Sequence, residues 1–320
     1  MASRNPIYLA TFLTGLFLSA AITTAAPRLR SPTIPAVPAG PEIAPLDATS
    51  TQHLSAHIWM IPGYPNIPII VGEKAVLVVD TGLGTAAGRV IAQEAKRLGG
   101  DKPLYVTTTH FHPEHAAGMG GFPPGTILLR PSVQQQELDI DRGRMLARFR
   151  EHNDKALTDA DYGRPQLFDT EKTLDLGGVT ARIFWAGPAH THGDTLVYVA
   201  QDRALISGDT VQNHATPTFL GGGIGPAEWL NTLTPIARLK PKLVIPDHSP
   251  PGPGVAMIAA EQDFLRTLIA MTDQARKEGM SQDAAVQKVM SQLHDHYPNW
   301  TLNPLTADGI RRTYSAGGAS

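Results

Sequence analysis

The order of elements in this chain predicts a mixed α/β fold, in which sheets are covered on their outer faces by helices. Three observations carry the prediction. Short β-rich runs alternate with longer stretches of helical spacing in each half of the chain. The run Ala75-Val76-Leu77-Val78-Val79 is apolar without a break, as a strand buried on both faces should be. Several apolar runs end directly in a residue with a titratable or metal-binding side chain, a pattern typical of loops leaving a rigid sheet.

The first strand candidate is His57–Ile61. Turn signals at Pro62, Gly63 and Pro65 lead to a pair of strands, Ile67–Val71 and Ala75–Asp80, joined by Gly72-Glu73-Lys74. Thr85 to Leu98 has helical spacing and stops at Gly99-Gly100. Leu104–Thr109 and Ile127–Leu129 are further strands. Residues 131–151 are expected to be a charged helix, and 152–170 to be irregular. In the second half, strands are predicted at Val179–Trp185, Thr195–Ala200, Ala204–Ser207 and Leu243–Ile245. Helices are expected at Pro226–Leu239, 256–279 and 282–294. The glycine-rich run from 221 to 225 reads as a loop.

Composition narrows the function. A formal charge of −2 supplies no basic field for nucleic acid, so a small-molecule substrate is expected. The absence of cysteine excludes disulfides, thiolate ligands and a cysteine nucleophile. Arg4 precedes the apolar run Ile7–Ile22, and small residues at Ala20, Ala21, Ala25 and Ala26 follow or end it. Residues 1–26 therefore read as a signal peptide, which makes the protein exported, periplasmic or secreted, with no stable membrane insertion after cleavage. Residues 27–50, rich in Pro and Ala, read as a flexible leader, and 51–320 as one domain.

The chemistry concentrates in His110-Phe111-His112-Pro113-Glu114-His115. His110 and His112 follow a strand two residues apart, so in extended geometry both imidazoles project to one side. Pro113 then changes the chain direction before Glu114 and His115. Three imidazoles and a carboxylate within six residues make a concentrated set of ligands for a divalent metal. His190, Asp209 and His248 are further candidates. Asp209 and His248 follow apolar strands; His190 stands in Ala189-His190-Thr191-His192-Gly193-Asp194. Asp194 reads as a structural carboxylate that holds loop amides. His192, His214 and Tyr64 are candidates for the substrate cleft. His53, His57, His294 and His296 carry no motif.

The sequence of motifs, His-x-His-x-acid-His, then His-Thr-x-Gly, then Gly-Asp, then a late His, resembles the metallo-β-lactamase superfamily over about residues 50–250. Val78-Val79-Asp80-Thr81-Gly82 resembles that family's Asp-Thr-Gly turn. The resemblance implies a four-layer αββα sandwich with its site along one edge of the sheets. It also implies that His110, His112 and His190 bind one metal, His115 and His248 a second, and Asp209 both. Asp80 would hold the motif loop from behind by hydrogen bonds. The implied cofactor is Zn²⁺, expected as two ions, with one zinc or one iron as alternatives. One position departs from the family: Glu114 stands where Asp is usual, with the same charge and one methylene more. Ligation by Glu114 is expected, and Glu114 and Asp209 are the catalytic candidates.

The implied chemistry is hydrolysis by metal-activated water, whose pKa falls from 15.7 towards about 7. Asp209 as a bridging ligand resembles the glyoxalase, lactonase and thioesterase branches, which favours an ester, thioester or lactone. A β-lactamase, in keeping with a signal peptide, is the first alternative. A mononuclear iron enzyme that oxidises persulfides is the second. A non-catalytic scaffold is disfavoured, because every expected ligand position holds a ligand-type residue.

Overall fold

The computed structural model describes residues 40–220 and 222–318. The predicted signal peptide, and the leader up to residue 39, lie outside these residues. The first sheet contains β1 (Gln52–His53), β2 (Ile58–Ile61), β3 (Ile67–Val71), β4 (Val76–Val79), β5 (Leu104–Thr107), β6 (Ile127–Pro131) and β7 (Gln166–Phe168), arranged in chain order. The second contains β8 (Glu171–Asp175), β9 (Thr180–Trp185), β10 (Thr195–Val199), β11 (Ala204–Gly208), β12 (Leu243–Pro246) and β13 (Gly252–Pro253). The helices are α1 (Gly84–Gly99), α2 (Pro113–Ala116), α3 (Ser132–Arg150), α4 (Pro226–Arg238), α5 (Gly254–Lys277), α6 (Gln282–His296) and α7 (Thr306–Ala316).

The unbroken apolar run of β4 is explained by its two buried faces. Leu77 and Val79 join Ile58, Met60 and Ile70 in a core shared with Ile183, Val197, Val199 and Ile206 of the second sheet. Val76 and Val78 point the other way, onto Ile91, Ala92 and Ala95 of α1. The outer face of the second sheet presents Leu196, Leu205 and Val244 to Trp229, Leu233, Met257 and Leu265 of α4 and α5. Helix, sheet, sheet and helix are therefore stacked as the sequence predicts. Among the described residues no helix is long and apolar enough to cross a membrane.

Four differences have physical causes. β8 has one buried side chain, Leu174, so this edge strand carries almost no apolar pattern. α7 buries only Thr306, Gly309 and Ile310 and escapes a periodicity argument for the same reason. The stretch 152–170 contains a 3-10 turn, Asp159–Tyr162, and β7. The flexible leader is corrected for its described part. Gly40 N donates to Arg148 O at 3.0 Å, Ile43 N donates to Asn153 Oδ1 at 2.9 Å, and Leu46 packs against the α1 core. Proline there sets extended backbone rather than freedom.

α1 runs unusually close to the turn Met119–Gly121 that follows the histidine loop. A Cβ on Gly88 would lie 1.9 Å from the Gly118 carbonyl oxygen, so only glycine permits this approach. Gly88→Ala is expected to lower stability by about 2–3 kcal/mol in urea unfolding, the cost of forcing extra volume into a packed contact. An unchanged midpoint would mean that helix and turn are not in contact.

Candidate metal centre

Strand pairing brings the candidate residues together. β4 and β5 are parallel, with Val79 beside Thr107, so Asp80 and the histidine loop leave the first sheet at one edge. β11 and β12 are parallel too, with Gly208 beside Pro246, so Asp209 and Asp247-His248 leave the second sheet side by side. Two contacts bring these edges together. Thr195 N donates to Thr109 O at 2.6 Å, and a Cβ on Gly208 (φ +56°) would lie 2.7 Å from Thr109 Cβ. His112 then caps α2, with Pro113 in its first turn. His115 N and Ala116 N both donate to His112 O, a single helical turn that folds Glu114 and His115 back under the two earlier histidines.

The ligand-type atoms form two groups. His110 Nε2 stands 2.9 Å from His112 Nδ1, which stands 3.3 Å from His190 Nε2. His115 Nε2 stands 3.1 Å from His248 Nε2. Asp209 reaches both: Oδ2 lies 3.3 Å from His190 Nε2, and Oδ1 lies 3.3 Å from His248 Nε2. Nitrogen ligands about 2.0–2.1 Å from a common ion at tetrahedral angles stand roughly 3.3 Å apart, so these spacings are those of ligands around a metal. Glu114 is set farther back, with Oε1 3.9 Å from His115 Nε2. Its Oε2 is buried without a hydrogen-bond partner.

Protonation suits the same reading. Burial and neighbouring imidazoles hold His110 and His112 well below the ordinary histidine range, so both present lone pairs. Burial, with His115 beside it, takes His248 down to about 3 against the pull of Asp209. Burial pushes Glu114 up to about 7. Burial also opposes ionisation of Asp209, but His248, His190 and His115 hold it below its usual value. Neutral imidazoles at His110, His112 and His248, converging with buried carboxylates, form a donor set that fits a divalent cation.

Behind these atoms lies a support that the sequence only partly revealed. Asp80, in left-handed backbone (φ +69°), accepts from Thr109 N at 2.6 Å and pairs through Oδ2 with His115 Nδ1 at 2.9 Å. Asp247 was not predicted. Its Oδ2 accepts from Thr109 Oγ1 at 3.0 Å and lies 3.3 Å from His115 Nδ1. Burial and the charge of Asp80 push Asp247 well above the carboxylate range. His190 Nδ1 donates to Thr218 O at 2.8 Å, which leaves Nε2 as the ligand-type atom. Gln212 Nε2 donates to Asp209 Oδ1 at 3.0 Å, and its own oxygen accepts from Ser249 Oγ. Asp194 accepts from Thr191 N and Oγ1. The only signal for Asp247 was its place at a strand end; for Thr218 and Gln212 there was none.

The strip that carries Thr218 is held from the far end of the chain. Thr306 Oγ1 lies 2.7 Å from Thr216 Oγ1 and 2.9 Å from Pro217 O. Arg312 donates to Ile224 O, and the Phe219 ring lies against Gly309, where a Cβ would come within 2.5 Å.

A cleft of about 530 Å³ opens over the centre, lined by His112, Glu114, Asp209 and His248. Tyr64 lines it too, its ring stacked on His248 at 3.8 Å between centroids. The expectation that His192 and His214 line the cleft is corrected. The exposed His192 ring turns to Gly222 O at 2.7 Å, and the exposed His214 faces Trp300. Elsewhere, His53 stacks on Trp59, His57 pairs with Asp202, and His294 and His296 are exposed.

Convergent histidines and a shared aspartate at the edge of a double sheet define the protein as a metal-dependent hydrolase. The profile of the metallo-beta-lactamase superfamily matches residues 60–248, more than half of the chain, and the chain belongs to that superfamily. Solved structures agree on the fold. A metallo-beta-lactamase from Pontibacter korlensis superposes with a TM-score of 0.55 at 18% identity, covering 68% of this chain and 98% of its own. The stereoselective inverting sec-alkylsulfatase Pisa1 from Pseudomonas sp. gives 0.62 at 14% identity over 83% of this chain, which spans 50% of that longer protein. DIM-1 metallo-beta-lactamase gives 0.54 at 16% identity, covering 71% of this chain and 99% of its own. A comparison with curated proteins gives no significant match.

Thr109→Val should test the support. Losing the hydroxyl removes partners from two carboxylates that are completely buried, Asp80 and Asp247. A stability loss of about 1–3 kcal/mol is expected in chemical unfolding. A variant as stable as the parent would show that this hydroxyl does not hold the two acids.

Proposed function

We propose that the protein is an exported zinc hydrolase acting on the carbonyl of an ester, thioester or lactone. The observation that carries this reading is the placement of Asp209, one oxygen beside each group of imidazoles. His110, His112 and His190 would hold one ion, His115, His248 and Glu114 the other, with Asp209 shared. Nitrogen and oxygen donors without thiolate suit zinc. When bound, the metal supplies Lewis-acid activation of the carbonyl and of the attacking water near neutral pH.

The chain's own groups do the rest. Asp209 is oriented by Gln212, and its shared position fixes where a water can sit between the two groups. Glu114 lines the cleft with one buried oxygen unpaired, placed to take a proton from the attacking water and return it to the leaving oxygen or sulfur. Tyr64 walls the cleft over His248. Export rests on Arg4 and the apolar run Ile7–Ile22, and a small-molecule substrate on the cleft's size and the net charge of −2. The setback of Glu114 favours one further reading, a single-metal enzyme, zinc or iron, with His110, His112, His190 and Asp209 as its ligands.

Metal analysis of purified protein separates these readings, with two zinc ions per chain expected. A panel of ester, thioester, lactone, cephalosporin and sec-alkyl sulfate identifies the bond cleaved; turnover of only the last two would overturn the carbonyl-ester reading. His112→Ala should abolish hydrolysis and lower metal content, and unchanged activity would refute the site. Glu114→Asp should keep kcat/KM within about tenfold, roughly 1.4 kcal/mol of barrier. A complete loss would mean that the longer side chain is required. Chelation should remove activity and lower the melting temperature, and added zinc should restore both.

A further inference from the structure

Helix α3 meets the centre through polar side chains that the proposed reaction does not use. Gln134, in its first turn, is completely buried. Its Oε1 accepts from Thr108 Oγ1 at 2.5 Å, and its Nε2 donates to Thr108 O at 2.9 Å and to Thr195 Oγ1 at 3.0 Å. Thr195 Oγ1 in turn donates to Gly193 O at 2.9 Å. One carboxamide thus engages both of its donor hydrogens and its acceptor. Thr108 lies two residues before His110, and Gly193 three after His190. The chain of bonds therefore joins the loop that carries His110 and His112 to the loop that carries His190.

One turn farther along α3, Glu137 completes the hold. Its Oε1 accepts from His192 N at 3.0 Å and its Oε2 from Gly193 N at 2.8 Å. Two charge-assisted bonds to successive amides fix direction as well as position. The packing is close, since a Cβ on Gly193 would lie 2.4 Å from Gln134 Cα. The backbone bond from Thr195 N to Thr109 O joins the same two loops at one point only. A single bond leaves the His190 loop free to tilt about it. Gln134 and Glu137 supply the further points that set the tilt, and ring nitrogens 2.9 and 3.3 Å apart tolerate little of it.

We propose that Gln134, supported by Glu137, is a positioning residue of the metal centre: it sets the His190 loop against the His110 loop so that His110, His112 and His190 converge on one ion. The inference rests on reading those three histidines as ligands and is independent of the substrate. Gln134 does not line the cleft and acts only through the two loops.

The test measures zinc affinity of the full chain by competition with a chromophoric chelator, together with the melting temperature of metal-free and zinc-loaded protein. Gln134→Met keeps the volume of the side chain and removes its hydrogen bonds. Zinc binding should weaken about tenfold or more, and the rise in melting temperature on zinc loading should shrink. Glu137→Gln, at a less buried position, should shift zinc affinity the same way by a smaller factor, with the metal-free melting temperature near that of the parent. A lower melting temperature in both metal-free and loaded Gln134→Met, with the parent's zinc affinity, would overturn the proposal, because it would show a role in stability alone. If Gln134→Met does not fold, Glu137→Gln decides: weaker zinc binding supports the proposal, and the parent's affinity overturns it. A parent that binds no zinc would overturn the metal reading itself and the proposal with it.

Discussion

The structure depends on one buried clasp, the set of hydrogen bonds around Thr109. Its amide and hydroxyl hold Asp80, its hydroxyl meets Asp247, and its carbonyl receives the Thr195 amide from the other sheet. One residue thus ties the ends of β4, β5, β10 and β12 to each other. Ligand-type side chains on four separate loops need such a tie, because a shift of about 1 Å would already spoil a coordination geometry. Asp80 takes up left-handed backbone to enter the clasp, a conformation that costs about 1–3 kcal/mol for a residue with a side chain and persists only where its surroundings enforce it.

The clasp also sets the electrostatics. Asp80 and Asp247 flank the same imidazole nitrogen of His115, and both are completely buried. Burial penalises a charge on His115, yet the two acids hold its proton well above the ordinary histidine range. By geometry, the two acids face Nδ1, which leaves Nε2 turned towards His248. On the other side of the centre, the neutral carbonyl of Thr218 does the same for His190. One imidazole is thus backed by acid and the other by an amide carbonyl, so the two halves of the centre are supported differently. The setback of Glu114 adds to that asymmetry.

Much of this was legible in the sequence, and the reasons are specific. β4 could be read because both of its faces are buried, and the histidine loop because its ligand-type residues are neighbours in the chain. Asp209 and His248 could be read because strand ends are where a sheet presents side chains. β8 and α7 were not legible, because one bury a single apolar side chain and the other only one, Ile310. His192 and His214 misled because residue type alone does not fix direction; the backbone turns both rings outward. Thr218 meets His190 Nδ1 through both its carbonyl and its hydroxyl, and a lone threonine in a loop carries no motif that could have marked it.

The grip of the C-terminal helix on the Thr216–Phe219 strip has a consequence in time. Thr306 and Thr216 are 90 residues apart, and both α7 and its partners on α5 and α6 follow the superfamily-matched span. Contacts of such long separation form after local structure. The strip whose carbonyl sets His190 in place is therefore tied to a helix that lies far along the chain.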